Sequence, residues 1–149
     1  MKIVTDEYML RKRCTEVTDF AGLDKVVSVL SDVLLNYNGP AGKALGLAAN
    51  QLGYQQRMFV LRMPVGPPVC IVNPVIWKQK GYQIGSERCL SLLGVTVRVK
   101  RPLSVVIKGV NQYGNHVKYK MSNQMARVIC HEIDHLDGKL ITDYKVKGG

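Results

Sequence analysis

One predicted helix constrains this chain most strongly, because residues 131–135 read His-Glu-Ile-Asp-His. Two imidazoles four positions apart project from the same face of an α-helix, with their Cβ atoms about 5 to 6 Å apart. They form half of a metal site, so the rest of the chain must bring another ligand to that face. Glu132 stands beside the first imidazole, where metal-dependent amide hydrolases carry a general base. The spacing therefore predicts a metal-binding helix with hydrolytic chemistry.

The flanking residues predict where this helix begins and ends. Ser122 is the predicted N-cap, and Gly138 stands where a left-handed residue after the helix is expected. Apolar residues recur between them at helical spacing, namely Met125, Val128, Ile129 and Leu136. We therefore expect the motif to lie on one helix between these two limits.

The third metal ligand must lie upstream of the motif or be Asp143, and Cys89 is the best upstream candidate. The extended motif with a third histidine six residues after His135 is excluded, because Ile141 occupies that position. A downstream glutamate ligand is excluded as well, since no glutamate follows the motif. Of the two candidates, Cys89 is favoured, because a thiolate with two imidazoles leaves one coordination position open, as catalytic metals require. The remaining cysteines are expected to be small buried side chains, namely Cys14, Cys70 and Cys130.

Two upstream segments complete a recognisable pattern. Residues 44–51 read Ala-Leu-Gly-Leu-Ala-Ala-Asn-Gln, and residues 87–91 read Glu-Arg-Cys-Leu-Ser. Small residues in the first segment would let backbone approach a ligand closely, and Gln51 offers an amide donor and acceptor. Taken in order with residues 131–135, the segments resemble the three signature motifs of the peptide deformylase family. The resemblance continues through residues 136–144.

The resemblance implies a fold, a reaction and a cofactor. The implied fold is α+β, with strand-rich antiparallel sheets packed around a central metal-binding helix, in one catalytic domain over residues 1–149. The implied reaction removes the N-formyl group from formyl-methionine of newly made polypeptides and releases formate. The implied cofactor is one divalent metal ion, with Fe(II) favoured and Zn(II) or Ni(II) as alternatives.

The resemblance also assigns the residues that carry the reaction. The implied metal ligands are Cys89, His131 and His135. Glu132 resembles the general acid and base of the family. Gln51 and the backbone N–H of Leu90 resemble the donors that hold the formyl oxygen and stabilise it as charge develops.

Other residues are expected to support the site or to contact the substrate. Glu87 matches the acidic residue of the second motif and is expected to orient a ligating histidine. Gly46 and Leu47 resemble the backbone partners of the substrate peptide. Leu45 and Val128, on the segments flanking the metal, are our candidates for the apolar pocket that accepts the methionine side chain.

Four positions depart from the family's usual motifs. Ala44 and Arg88 stand where glycines are usual, and Leu93 replaces a proline that often follows the Cys-Leu-Ser turn. Thr96 occupies a commonly basic position near the substrate cleft. None of the four removes a ligand or the base, so they bear on substrate preference and cleft shape.

The remaining pattern predicts one helix and several strands. The helix is predicted over residues 23–35 and is ended by residues 36–40. Strands are predicted over residues 57–63, 69–77, 95–99, 103–110 and 116–121, with a hairpin turn at 111–115. His116 follows this turn and is expected to have no chemical role. A strand-rich middle followed by one metal-carrying helix is independently typical of an α+β fold.

The formal net charge of +10 suggests another class of function. Phosphate contacts could come from the basic residues Arg11, Lys12, Arg13, Lys78, Lys80, Arg98, Lys100, Arg101, Lys118, Lys120, Lys145 and Lys147. A dispersed, solvated basic surface is favoured, because no basic run exceeds three residues and no ladder of aromatic residues is interleaved with the basic ones. Two alternatives stay open. One is a zinc endopeptidase, which shares the helix motif, and the other is a basic nucleic-acid-binding module stabilised by a closed metal site.

The sequence shows no signal peptide, transit peptide or membrane-spanning segment, so we expect a cytoplasmic protein, in the host cytoplasm if the enzyme is virus-encoded. We also expect it to be a monomer. Only fourteen residues follow His135. Many bacterial deformylases continue there into a basic helix that docks near the ribosomal exit tunnel. The resemblance therefore implies full activity on short formyl peptides but weak, salt-sensitive ribosome association.

Overall fold

The computed structural model describes residues 2–37 and 43–144. Its α-helices are α1 (Glu7–Leu10), α2 (Leu23–Asn36) and α3 (Gln124–Leu136). Its strands are β1 (Gly46–Ala48), β2 (Met58–Leu61), β3 (Val69–Lys80), β4 (Gln83–Cys89), β5 (Leu92–Arg101), β6 (Ser104–Val110) and β7 (His116–Ser122). Two 3-10 helices span Ala49–Leu52 and Ile141–Tyr144. The predicted helix-ending residues 38–40 and the basic residues Lys145 and Lys147 lie outside the described residues.

The strands form two antiparallel sheets. One has five strands in the order β1-β2-β3-β6-β7, and β4 pairs with β5 in a separate two-stranded sheet. Every pairing between these strands is antiparallel, which confirms the predicted α+β class with antiparallel sheets.

Side-chain alternation along the five-stranded sheet creates two apolar layers. On one face, Leu47 and Val60 pack with Leu30 and Leu34 of α2. On the other face, inward-pointing residues of the same strands and of β6 and β7 pack against α3, namely Ala48, Phe59, Ile71, Val105, Ile107, Tyr119 and Met121. The predicted metal-binding helix is therefore held between the sheet and the β4–β5 hairpin.

The structure corrects one predicted limit of this helix and confirms the other. Ser122 is the last residue of β7, where it pairs with Ser104, so the prediction that it caps the helix is wrong. The N-cap is Asn123, in an unusual backbone conformation with φ 56° and no side-chain cap hydrogen bond. Gly138 has the predicted left-handed conformation with φ 77°. A side chain there would collide with the carbonyl oxygen of Arg11, so only glycine fits.

Predicted strands agree with β2, β3, β5, β6 and β7, although their limits differ. The sequence missed β1, β4 and α1, which are short or lack a run of β-branched residues. It also ended β3 at Trp77, since residues 77–80 are all exposed and show no apolar alternation.

The three cysteines expected to be small buried side chains are buried free thiols, namely Cys14, Cys70 and Cys130. Burial raises the pKa of Cys14 and Cys130 to about 11 and that of Cys70 to about 12, so these thiols stay protonated and unreactive. Among the helices in the described ranges, none combines the length and the apolar character needed to cross a membrane.

Candidate metal centre

Three side chains from two distant segments converge at the base of a cleft. Cys89 Sγ lies 3.3 Å from His135 Nε2, which lies 3.2 Å from His131 Nε2. One ligand atom from each residue lies within 4.8 Å of the other two. Metal bonds of about 2.0 to 2.3 Å place the ligand atoms of a tetrahedral ion roughly 3.3 to 3.8 Å apart. The cluster therefore fits one ion, and three ligands leave one position open.

Local structure explains the convergence. His131 and His135 are one turn apart on α3, with ring centroids 5.0 Å apart. Cys89 ends β4, immediately before the two-residue turn that leads into β5. The strand pairing shifts register between Glu87 and Cys89, and such bulges redirect side chains. Asp143, the other candidate ligand, lies outside the cluster and accepts hydrogen bonds from Arg11 and from the Leu140 N–H.

Glu87 fixes the orientation of His131. Its Oε1 lies 3.1 Å from His131 Nδ1, so an N–H at Nδ1 leaves the Nε2 lone pair facing Cys89 and His135. Arg101 donates to both carboxylate oxygens, at 2.9 Å and 2.8 Å, and Arg127 donates to Oε2. Burial alone would raise the pKa of Glu87, but the hydrogen bonds from Arg101 and His131 lower it to about 2. Glu87 is therefore a permanently charged acceptor.

Arg101 connects this carboxylate to α3. Its side chain is 4% exposed and also forms an ion pair with Asp134. Its inclusion among the surface residues that could contact nucleic acid is therefore wrong. Sequence reasoning missed Arg101, Arg127 and Asp134 as parts of the site. Arg127 and Asp134 lie four residues before and three residues after His131, a helical spacing that could have placed them on its face.

The ligand cluster favours a cation electrostatically. Burial lowers the pKa of His131, but hydrogen bonds with Cys89 and Glu87 raise it to about 10. Burial and the neighbouring charge of His131 lower the pKa of His135 well below its usual value. The hydrogen bonds that favour a positive charge at His131 would equally favour a metal ion held by these ligands in place of the proton.

Glu132 is positioned beside the cluster without being part of it. The residue is 3% exposed, and its Oε1 has no hydrogen-bond partner among the described residues. Burial is the largest cause that raises its pKa, to about 7. A Cβ atom at Gly46 would lie 2.8 Å from Glu132 Oε2 and 3.0 Å from Val128 Cγ1, so glycine makes room for the carboxylate. The close approach expected of the first motif is therefore made to Glu132.

Gln51 presents an amide N–H to the same cluster. The backbone N–H of Ala48 donates to Gln51 Oε1 at 3.0 Å, which fixes the orientation of the amide. Gln51 Nε2 then donates to Ser91 Oγ at 3.2 Å and lies 3.8 Å from Cys89 Sγ. Ser91 is a partner that sequence reasoning missed. Leu90 occupies the adjoining turn, next to Cys89.

Comparison with known proteins identifies the group to which this arrangement belongs. A family model described as polypeptide deformylase matches residues 1–148. The chain belongs to the polypeptide deformylase family. The peptide deformylase of Syntrophomonas wolfei is 36% identical over 141 residues, which cover 93% of this chain and 88% of that protein. The peptide deformylase of Clostridium botulinum is 37% identical over 139 residues, which cover 93% and 91%.

Solved structures of deformylases have the same fold. The crystal structure of the Thermotoga maritima peptide deformylase matches with a TM-score of 0.88 and 33% identity, covering 98% of this chain and 97% of that one. The Thermus thermophilus peptide deformylase matches with a TM-score of 0.88 and 33% identity, covering 98% and 85%. These matches confirm the predicted family, fold and enzyme class.

The deformylase cleft has a volume of about 410 Å³ and brings most of the predicted residues together. Its lining includes His131, Cys89, Glu132, Gln51, Leu90, Gly46, Leu45 and Val128. Leu47 has a fully buried side chain in the core, so it can reach a substrate only through its backbone. His135 is buried behind the lining.

The departures from the deformylase motifs also lie at this cleft. Ala44, Arg88 and Thr96 belong to its lining. Leu93 is exposed and lies in an adjoining hollow of about 250 Å³ that Arg88 and Thr96 share. Their positions allow them to shape the cleft, and their effect on substrate preference stays a prediction.

Proposed function

We propose that this cleft hydrolyses the N-formyl group of formyl-methionyl peptides, with one catalytic divalent metal ion bound by Cys89, His131 and His135. The observation that carries the proposal is the three-ligand cluster beside Glu132, a buried carboxylate with a free oxygen. Membership of the polypeptide deformylase family makes the chain a metallohydrolase of this type.

Each group around the cluster then has a separate role in the hydrolysis of the amide. A divalent ion in such a site acts as a Lewis acid and lowers the pKa of water toward about 7. Glu132 accepts the proton from the attacking water and passes it to the leaving amine. Gln51 Nε2 and the Leu90 N–H donate hydrogen bonds to the formyl oxygen as negative charge develops there. Glu87 holds His131 in the tautomer that binds metal.

The substrate peptide has an edge strand to pair with. β1 lies at one edge of the five-stranded sheet, and only its β2 side is paired with a strand among the described residues. An extended peptide can add to such an edge through backbone hydrogen bonds, which supports this role for Gly46 and Leu47. Leu45 and Val128 line the cleft beside them and supply apolar surface for the methionine side chain.

The metal is Fe(II) in this proposal, which rests on the family resemblance. A thiolate with two imidazoles also suits Zn(II) and Ni(II). The protein acts as a single-domain monomer in the cytoplasm on nascent chains, and contact between its basic surface and the ribosome is sensitive to salt.

An assay with two substrates tests the proposed reaction. Formate release from formyl-Met-Ala-Ser is measured with the Fe(II), Ni(II) and Zn(II) forms, and cleavage of unformylated casein is measured in parallel. We expect formate from the peptide, most rapidly with Fe(II), and no internal cleavage of casein. Casein fragments without formate would instead support the zinc endopeptidase that shares the helix motif.

A further inference from the structure

An uncovered, strongly basic surface lies on the side of the sheet opposite α3. Strands β6 and β7 turn Val105, Ile107, Tyr119 and Met121 toward α3. Their alternate residues therefore face the other way, beyond the part of the sheet that α2 covers. The exposed lysines on β3, β6 and β7 are Lys78, Lys80, Lys108, Lys118 and Lys120.

Acidic residues do not balance this charge. Strands β3, β6 and β7 contain no aspartate or glutamate, and Glu87 is the sole acidic residue between positions 33 and 131. Glu87 is buried at the metal centre and already paired. Within the ranges that the structure describes, none of the five lysines forms an ion pair.

Trp77 lies at the centre of this surface, and 46% of the residue is exposed. The ammonium groups of Lys108, Lys78 and Lys118 lie 3.7, 4.3 and 4.5 Å from the ring centroid. Lys108 and Lys118 are direct partners across β6 and β7. The β3–β6 pairing shifts register between Ile76 and Lys78, and both Trp77 and Lys78 are exposed there. We call Trp77 and these three lysines the Trp77 patch.

The repulsion among the three ammonium groups of the Trp77 patch exceeds what contact with one aromatic ring offsets. Because all three ammonium groups surround one centroid, they lie within about a Debye length of one another at 0.15 M salt, roughly 8 Å, and repel. Contact with one ring at an exposed site offsets only a small part of this repulsion. An adjoining hollow of about 550 Å³ is lined by Val75, Lys108, His116 and Lys118. The surface therefore combines unneutralised charge, an exposed ring and space for a ligand.

We propose that the Trp77 patch binds single-stranded RNA, with a base stacked on the Trp77 ring and phosphates held by Lys78, Lys108 and Lys118. Proteins that bind single strands combine an aromatic stacking platform with cations along the backbone, which is the arrangement here. We infer RNA as the ligand because nascent chains, the substrate in the proposed function, emerge from the ribosome beside RNA. This part of the inference rests on the proposed function. Binding there leaves the cleft free, because α3 and the metal centre lie on the opposite side of the sheet.

Fluorescence of Trp77 tests the proposal directly, because it is the single tryptophan of the chain. The metal-loaded protein is titrated with an oligouridylate RNA of about ten nucleotides, a site size that single-strand-binding proteins use. We expect saturable quenching by the RNA, equal or weaker binding of the DNA of matching sequence, and much weaker binding of the RNA duplex. Tighter binding of the DNA, or quenching by phosphatidylserine vesicles instead of RNA, would overturn the proposal.

Matched charge variants separate the patch from general basicity. The triple variant Lys78→Gln/Lys108→Gln/Lys118→Gln is compared with Lys12→Gln/Lys25→Gln/Lys139→Gln, which removes the same charge from exposed lysines elsewhere. Loss of three phosphate contacts should reduce the slope of log K against log salt by about 2. The control should retain nearly the full slope. Equal losses in both variants would show that no specific patch exists.

A stacking variant and an activity readout complete the test. With fluorescently labelled RNA, Trp77→Ala should bind roughly five- to a hundredfold more weakly, and Trp77→Phe should recover part of that loss. Unchanged RNA affinity in Trp77→Ala would overturn the stacking role. Formate release from a short formyl peptide should be normal in all patch variants. Wild-type protein that binds RNA without releasing formate would overturn the proposed function alone.

Discussion

Replacement of Glu132 by glutamine leaves one metal ion bound per chain and removes nearly all formate release. The expected loss is about 10² to 10⁴ in rate, which is the contribution of a positioned proton-transfer group. Glutamine keeps the shape of the buried side chain, so it fits the space beside Gly46 while losing the basic oxygen. Formate release per bound metal is the measurement.

The matched control for this variant is Glu16→Gln, which removes a carboxylate from an exposed position. It should keep normal turnover and normal metal content. Near-normal formate release by Glu132→Gln would show that another group transfers the proton. Loss of metal from Glu132→Gln would instead make Glu132 a ligand.

Replacement of Cys89 by alanine is expected to remove stable metal binding. The thiolate is one of only three ligands, and removing even a residue that merely supports a ligand costs about 10- to 100-fold in affinity. We therefore expect at least a hundredfold weaker metal binding in Cys89→Ala, with formate release lost in parallel. Metal content after gel filtration and competition with a chelator measure the change.

Cys70→Ala is the control for this second prediction, because Cys70 is another buried thiol but lies in the core away from the cluster. It should bind metal normally even if it is less stable to heat. Equal metal content in Cys89→Ala and wild type would contradict the thiolate ligation and show that another side chain is the third ligand.

Local spacing made the centre of the site predictable from sequence. His131, Glu132 and His135 are fixed relative to one another by the geometry of one helix, and Gly138 ends that helix through its backbone conformation. Cys89 and Gln51 required chemical elimination and family resemblance, because no local pattern connects them to α3.

Long-range contacts account for what the sequence did not reveal. The sequence pattern groups Arg101 with the surface cations, since its partners Glu87 and Asp134 are 14 and 33 residues away along the chain. The sequence likewise predicts a dispersed basic charge, because it does not show which distant lysines the fold brings together. Lys78, Lys108 and Lys118 come from three strands, and only the register of the sheet brings them to Trp77.

Formate release measured against bound metal tests the central claim most directly. Metal-free protein is titrated with Fe(II) under anaerobic conditions, and formate release from formyl-Met-Ala-Ser, metal content and circular dichroism are recorded at each step. An open three-ligand site predicts a folded but inactive metal-free protein, with activity rising in proportion to metal up to one ion per chain. Formate release without metal, or unfolding of the chain on metal removal, would contradict a catalytic metal at Cys89, His131 and His135.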